Sequence, residues 1–142
     1  MSALLGWCRR RLNALRGEQG SDPRHQLGRR GEDLALSHLA AAGLRCIDRN
    51  VYLRGGEIDL ICEAPDGTIV FVEVKTRTGD DHPGELAINR AKRMRMIRLV
   101  QMLARKRRWL SRRLRIDVVV IVWPQNGEPI IRHHPSAVTL DG

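Results

Sequence analysis

The fold of this chain is decided by residues 56–75, GEIDLICEAPDGTIVFVEVK. Two strand-like runs rich in Ile, Leu and Val flank a Pro-Asp-Gly turn, which is the pattern of a β-hairpin. Strands are usually poor in acidic residues, yet the first run carries Asp59 and the second carries Glu73. Burying part of a carboxylate costs several kcal/mol unless a cation or hydrogen-bond donors meet it. A divalent metal ion is one group that could meet both.

The length of the turn determines which residues of the two runs face each other. A three-residue loop at residues 65–67, with glycine in the left-handed position, is a common hairpin type and places Asp59 opposite Glu73. A two-residue loop would send them to opposite faces. Lys75 follows Glu73 by two residues and projects from the same side. We predict that this side carries Asp59, Glu73 and Lys75 and that the other side is the core face, with Ile58, Leu60, Cys62, Val70, Val72 and Val74.

Periodicity elsewhere predicts an α/β sandwich built on a mixed sheet. Apolar residues at helical spacing predict a helix over residues 28–42 and a long helix from residue 89 to about residue 110. Residues 45–53 are predicted to form a strand. The Val-rich run at 116–123 indicates a strand covered on both faces, and residues 130–132 a short edge strand. The order is therefore helix, three-stranded meander, helix and buried strand.

Size and cysteine usage predict one cytoplasmic domain. A chain of 142 residues fits a single domain, since domains usually have about 100–200 residues. Residues 1–26 mix apolar and basic side chains with Gly and Pro, and we predict a flexible basic arm there, followed by a folded domain over residues 27–142. The three cysteines lack C-x-x-C pairing, and no apolar run has transmembrane length. We expect no disulfide framework, no zinc cluster and no membrane partner.

The charge balance indicates a polyanionic partner. Lys and Arg number 25 against 16 Asp and Glu, which gives a net charge of +9 and a pI near 10.9. Nucleic acid is the simplest such partner. A charged helix face is usually solvent-facing, and that alternative stays open, but the long helix carries its basic residues without an acidic one. The residues predicted to contact phosphates are Arg77, Arg90, Lys92, Arg93, Arg95 and Arg98.

Several short motifs follow one another in a recognisable order. They are Gly28-x-x-Gly31-Glu32, Asn50, Gly56-Glu57-Ile58-Asp59-Leu60-Ile61, Phe71-Val72-Glu73-Val74-Lys75-Thr76-Arg77, Lys92 with Arg95, and Asp117-Val118-Val119. Together they resemble the restriction-endonuclease-like nucleases of the PD-(D/E)xK superfamily. Within it the chain is similar to the UPF0102 (YraN) family, which is related to archaeal Holliday junction resolvases. The resemblance implies an α-β-β-β-α-β core and an endonuclease that hydrolyses phosphodiester bonds in DNA, including branched or structured DNA.

The resemblance also implies roles for individual residues. Asp59 and Glu73 would bind Mg²⁺ or Mn²⁺ together with the backbone carbonyl of Val74, in keeping with the preference of hard cations for oxygen ligands. Lys75 would orient the attacking water or stabilise the phosphoryl charge. Glu32 would bind a second ion, or a water held by the first. The resemblance thus implies a catalytic set that spans the first helix and the hairpin.

Three alternatives to a DNA nuclease stay open. The charged residues could form a structural ion-pair cluster on a solvated sheet face. The chain could be a non-catalytic nucleic-acid-binding module of the same fold, or a structural accessory whose basic surface binds RNA. Related resolvases act as symmetric dimers, so the resemblance implies a homodimer, although the sequence shows no dimer seam. We interpret Glu57 as a surface contact to an arginine and leave it outside the metal site.

Overall fold

The computed structural model describes residues 22–79 and 88–140, which form a mixed five-stranded sheet and two helices. In chain order the elements are α1 (Pro23–Ala41), β1 (Arg45–Leu53), β2 (Gly56–Glu63), β3 (Ile69–Thr78), α2 (Arg90–Lys106), β4 (Leu114–Trp123) and β5 (Ile130–Val138). The strands lie in the order β1-β2-β3-β4-β5, with β3 and β4 parallel and the other pairs antiparallel. This confirms the predicted α-β-β-β-α-β core. Neither helix in the described ranges is long and apolar enough to span a membrane.

The hairpin of β2 and β3 has the predicted register. The Ala64 amide donates to the Thr68 carbonyl at 2.9 Å, and Gly67 closes the loop with φ of +89°, a conformation that favours glycine. The ladder pairs Leu60 with Val72. Asp59 and Glu73 are the next residues along this register, just beyond the last pair of the ladder.

Both faces of the hairpin contribute to the core, and not one face alone as predicted. Leu60, Cys62, Val70 and Val72 pack beneath α1, as members of a cluster with Ala35 and Leu39. On the other face Phe71, Ile61 and Ile69 pack beneath α2, and Ile58 joins this second cluster instead of the first. The reason is topological. The parallel strands β3 and β4 are joined by a crossover through α2, and α1 covers the face that remains.

Helix α1 begins earlier than predicted. It starts at Pro23 instead of residue 28, and the Asp22 carboxylate caps it by accepting a hydrogen bond from the Arg24 amide at 3.0 Å. An Asp-Pro pair was interpreted as linker, but Asp is a strong N-cap residue and Pro is favoured in the first turn. The remainder of the predicted arm, residues 1–21, lies outside the described residues.

Helix α2 ends earlier than predicted, at Lys106 and not near residue 110. Arg108 adopts a left-handed conformation with φ of +59°, which stops the helix. Trp109 then turns back and packs edge-on against Phe71, with ring centroids 6.2 Å apart. Leu110, predicted on the apolar side of the helix, is 60% exposed. Aromatic packing after the helix therefore overrides the apolar periodicity of its last residues.

Strand β5 continues well past the three residues predicted for it, and a buried acid explains why. Asp117 of β4 is fully buried and accepts two hydrogen bonds from Arg115, at 2.8 and 2.9 Å. From β5, His133 Nε2 lies 2.7 Å from the same carboxylate and the Ser136 amide donates to it at 3.0 Å. These contacts fasten β5 to β4 along its length.

Candidate metal centre

The two hairpin strands separate where the acidic residues begin. Beyond the Leu60–Val72 pair, Asp59 Oδ2 accepts a hydrogen bond from the Val74 amide at 2.8 Å. A side-chain carboxylate thus takes the place that a strand carbonyl would hold in a regular ladder. The arrangement fixes the Asp59 carboxylate between the two strands and beside Glu73.

Three carboxylates converge at this opening from two elements. Ligand oxygens of Glu32 on α1 and of Glu57 and Asp59 on β2 all lie within 4.8 Å of one another. The Asn50 amide, in the orientation that satisfies both acids, donates to Glu57 Oε1 at 2.8 Å and to Glu32 Oε2 at 3.1 Å. Asn50 has φ of +52°, a left-handed conformation that Asn tolerates better than most residues. It holds two of the three carboxylates together.

A close helix–sheet contact sets the depth at which Glu32 enters the group. A Cβ placed on Gly31 would lie 2.5 Å from Thr76 Oγ1 of β3, so only glycine allows α1 to approach this closely. Gly31 itself is buried, and Glu32 is the next residue. This contact gives a physical reason for the Gly31-Glu32 pair that contributed to the family resemblance: the glycine permits the close approach, and the glutamate beside it enters the acidic group.

The electrostatics of the group favour the addition of positive charge. Burial raises the pKa of Asp59 to about 8, and repulsion from Glu73 acts in the same direction. Burial also raises the pKa of Glu32 despite the charge of Arg49, and burial together with Glu73 raises the pKa of Glu57. Within the described residues no Lys or Arg pairs with Asp59 or Glu57 within 4.0 Å. The oxygen donors and their unbalanced charge suit a hard divalent cation.

The basic residues of the site contact its outer members. Lys92 of α2 lies with Nζ 3.1 Å from Glu73 Oε1, and the Arg49 guanidinium lies 3.6 Å from Glu32. Lys75 is only 6% exposed. Burial lowers the pKa of Lys75, and the charges of Lys92 and Arg77 lower it further. Lys75 therefore releases its proton more readily than a lysine in water.

Of the residues predicted from sequence, Glu32 and Asp59 enter the group of converging carboxylates. Glu73 stands next to this group and pairs with Lys92. The Val74 amide contacts Asp59, while the role of its carbonyl stays a prediction. Glu57, interpreted from sequence as a surface contact to an arginine, has no Lys or Arg within 4.0 Å among the described residues and lies in the group of converging carboxylates instead. Its alternation with Asp59 on one strand, which puts both on the same side, was the available signal.

The predicted phosphate contacts lie on β3 and on α2, the helix that supplies Lys92 to the site. Five of them are exposed: Arg77, Arg90, Arg93, Arg95 and Arg98. A Cβ placed on Gly56 would lie 2.9 Å from Leu99 Cδ1 and 3.9 Å from Arg95 Cδ, so α2 runs beside the residue that precedes Glu57. The sixth, Lys92, is the partner of Glu73. Arg107, the residue that caps the C-terminus of α2, forms an ion pair with buried Asp48 at 2.6 Å instead.

The fold and the site define a class of protein, a mixed-sheet α/β domain with acidic residues gathered at the opening of its central hairpin. The chain belongs to the uncharacterised protein family UPF0102, whose family model matches residues 31–121. A UPF0102 protein of Mycobacterium avium (strain 104) is 40% identical over 114 residues, which cover 78% of this chain and 88% of the relative. One of Mycobacterium tuberculosis (strain ATCC 25177 / H37Ra) is 43% identical over 108 residues, 72% of this chain and 83% of the relative.

Two solved structures resemble the chain. A repair endonuclease from Pyrococcus abyssi shares 19% identity with a TM-score of 0.41, over 78% of this chain and 42% of that one. Pyrococcus furiosus SfsA in complex with Ca²⁺ shares 17% identity with a TM-score of 0.41, over 78% of this chain and 63% of that one. The chain thus spans less than two thirds of either structure.

Proposed function

We propose that this protein is a metal-dependent endonuclease that hydrolyses phosphodiester bonds in DNA, including branched or otherwise structured DNA. The observation that carries the proposal is the convergence of Glu32, Glu57 and Asp59 within 4.8 Å, beside Glu73 and Lys75, in a chain of net charge +9. A structural ion-pair cluster would place a cation against each acid and lower its pKa. Glu32 and Glu73 do have such partners, Arg49 at 3.6 Å and Lys92 at 3.1 Å, but among the described residues no Lys or Arg lies within 4.0 Å of Asp59 or Glu57. The pKa values of Asp59, Glu57 and Glu32 are all raised. The opposite shift supports a site that binds a cation.

The donor set fits Mg²⁺ or Mn²⁺. Asp59 and Glu73 would hold the ion together with the Val74 carbonyl, and Glu32 with Glu57 would serve a second ion. A divalent cation bound there supplies a Lewis acid for the phosphoryl oxygens and makes water a stronger nucleophile. Hard cations of this kind are commonly bound by carboxylates in phosphoryl-transfer sites.

Lys75 has the properties needed to orient the attacking water. Its ammonium group, buried and with a lowered pKa, can orient the water and share the charge that develops on phosphorus. Lys92 and Arg77 lie close enough to influence Lys75 electrostatically and are suited to hold non-bridging phosphate oxygens. In this proposal the acidic side chains bind the cation, and the basic side chains contact the phosphate.

The exposed arginines of α2 extend this surface away from the site and are suited to hold phosphates at a distance from the cut. Phosphate contacts position nucleic acid without reading its sequence, so selectivity for shape is favoured over a specific sequence. Binding should weaken steeply as salt rises. The proposal includes a cytoplasmic location and, by analogy with resolvases, a homodimer that presents two sites to one four-way junction.

The test is cleavage of labelled four-way, flap, single-stranded and duplex DNA with Mg²⁺ or Mn²⁺. Wild type is compared with Glu73→Ala and Glu32→Gln. Asp33→Asn is the matched control, because Asp33 is the neighbouring acid on α1, is 63% exposed and pairs with Arg49. We expect cutting that requires metal, Glu73 and Glu32 but not Asp33. Salt-sensitive binding without cutting of any substrate would overturn the proposal in favour of a non-catalytic binding module.

A further inference from the structure

Tyr52, the single tyrosine of the chain, stands apart from the other aromatic residues that the structure describes. Its side chain is 75% exposed on β1. Phe71 is buried, Trp109 packs against Phe71, and Trp123 lies under the Arg30 guanidinium at 4.8 Å. Tyr52 is therefore the one described Phe, Trp or Tyr whose ring is presented to solvent.

The position of this ring is more informative than its exposure alone. Tyr52 pairs directly with Glu57 across the β1–β2 ladder, and Glu57 is a member of the metal centre. Cβ atoms of directly opposed strand residues are about 4.5–5.5 Å apart. The charge of Glu57, partial burial and the charges of Glu32 and Asp59 raise the pKa of Tyr52, in keeping with this position beside the acidic group. The ring thus stands at the rim of the acidic group.

Positive charge flanks the same rim. Arg29 of α1 is close enough to oppose the acidic groups in their effect on the pKa of Tyr52. Arg54, two residues along the chain, is exposed at the β1–β2 turn. A neutral, exposed aromatic face with exposed arginines in its neighbourhood suits single-stranded nucleic acid: bases can stack on the ring and phosphates can meet the cations.

We propose that Tyr52 is a stacking platform for an unpaired nucleobase next to the scissile phosphate, so that the substrate class is DNA with a single-stranded nucleotide at the cut. This inference rests on the proposed nuclease function. A base inside a continuous duplex has both faces covered by its neighbours and cannot stack on a protein ring. A free strand, a flap or a branch point with an unpaired base can. Tyr52 is therefore a specificity-determining residue.

The test measures binding without turnover. Labelled single-stranded oligothymidine and a blunt duplex of equal length are titrated with Glu73→Ala protein in Mg²⁺, alone and combined with Tyr52→Phe or Tyr52→Leu. Base–aromatic stacking is worth about 1–3 kcal/mol, so Tyr52→Leu should weaken single-strand binding about tenfold. Tyr52→Phe should bind like the parent, and duplex binding should not change. Equal single-strand affinity for the Phe and Leu variants would overturn the inference, as would equal losses on the two DNAs.

A second readout reports stacking itself and separates this inference from the nuclease proposal. A strand with a single 2-aminopurine should lose fluorescence on binding to protein that carries Tyr or Phe at position 52, and much less with Leu. Unchanged quenching with Leu would refute stacking even if the protein cuts DNA. Quenching that depends on the ring, in a protein that cuts nothing, would sustain the platform and refute the nuclease. Because the ring is exposed, Tyr52→Leu should leave the melting temperature unchanged.

Discussion

Lys92 of α2 and Glu73 of β3 form an ion pair across the open end of the hairpin, with Nζ 3.1 Å from Oε1. The ammonium group of Lys92 partly compensates the negative charge of Glu73. Glu32, Glu57 and Asp59 converge without an equivalent lysine. Lys92 is therefore a competitor for any other cation that approaches Glu73. It is also the point at which the basic helix contacts the acidic site.

Replacing Lys92 by Gln should strengthen metal binding. The substitution frees the Glu73 carboxylate and removes a repulsive charge, so MgCl₂ or MnCl₂ should raise the melting temperature at a lower concentration than in wild type. The measurement is thermal unfolding over a metal titration. Arg93→Gln removes the same charge from an exposed neighbouring position and should have a smaller effect. Equal effects of the two variants would mean that net charge, and not the pairing with Glu73, governs the response.

Stability without metal should fall as pH rises, because of Asp59. Burial raises its folded pKa to about 8, whereas the ordinary value is 3.8. Between these values the folded protein keeps a proton that the unfolded chain has lost, so the free energy of unfolding decreases with increasing pH. Asp59→Asn stays neutral and can still accept the Val74 hydrogen bond. It should therefore be more stable than wild type at pH 8, with a difference that shrinks toward pH 4.

Urea unfolding in EDTA over this pH range measures the effect. Asp33→Asn changes a largely exposed carboxylate and should follow the wild-type pH dependence. Parallel curves for Asp59→Asn and wild type would show that Asp59 is ionised in the folded protein. The assignment of a raised pKa to Asp59 in the folded protein would then be wrong.

Gly31→Ala should lower both stability and metal response, although Gly31 offers no ligand. The added methyl meets Thr76 Oγ1 at 2.5 Å, and a β-branched side chain has little freedom to move aside. Such overpacking typically costs about 1–3 kcal/mol. Displacement of α1 would also withdraw Glu32 from its partners. Gly28→Ala is the matched control, since a Cβ there has nothing within 4 Å.

Thr76→Ala should restore both properties in the Gly31→Ala background, because it removes the atom that collides. The measurements are urea unfolding and the metal-dependent shift in melting temperature. If the double variant were no more stable than Gly31→Ala and responded no better to metal, the loss would not arise from this contact.

Asp117→Asn should destabilise the fold without altering metal binding. The change removes the charge of a fully buried carboxylate and leaves Arg115, whose side chain is 30% exposed, without its anionic partner. Losing hydrogen bonds to a charged group commonly costs about 1.5–3 kcal/mol. Urea unfolding gives the loss, and a metal titration should give an unchanged midpoint. Arg113→Gln, at an exposed pair 4.0 Å from Asp66, should change neither. A large shift of the metal midpoint in Asp117→Asn would connect this cluster to the site.

The hairpin register could be predicted because it depends on local chemistry. A glycine that takes a left-handed conformation fixes the loop length, and strand alternation then brings Asp59 opposite Glu73. Glu32 could be assigned only through the family resemblance, because its place in the site depends on how closely α1 packs against the sheet.

The misassigned residues depend on contacts distant in sequence. Glu57 is held by Asn50, a residue of another strand in a left-handed conformation that no periodicity reveals. Burial of the second hairpin face follows from a helix supplied by the crossover between parallel strands. The early end of α2 follows from Trp109 packing on Phe71. In each case a tertiary contact, and not an intrinsic preference of the segment, decides the outcome.

Because Glu32 is contributed by α1 and the other acids by the hairpin, the centre has an order of assembly. The hairpin is local in sequence, but it carries only part of the ligand set. The set is completed when the glycine contact at Gly31 seats the helix on β3. A chain whose first helix has come loose would therefore lack the full centre. Any cation that needs all of these acids would then be bound only by the finished fold.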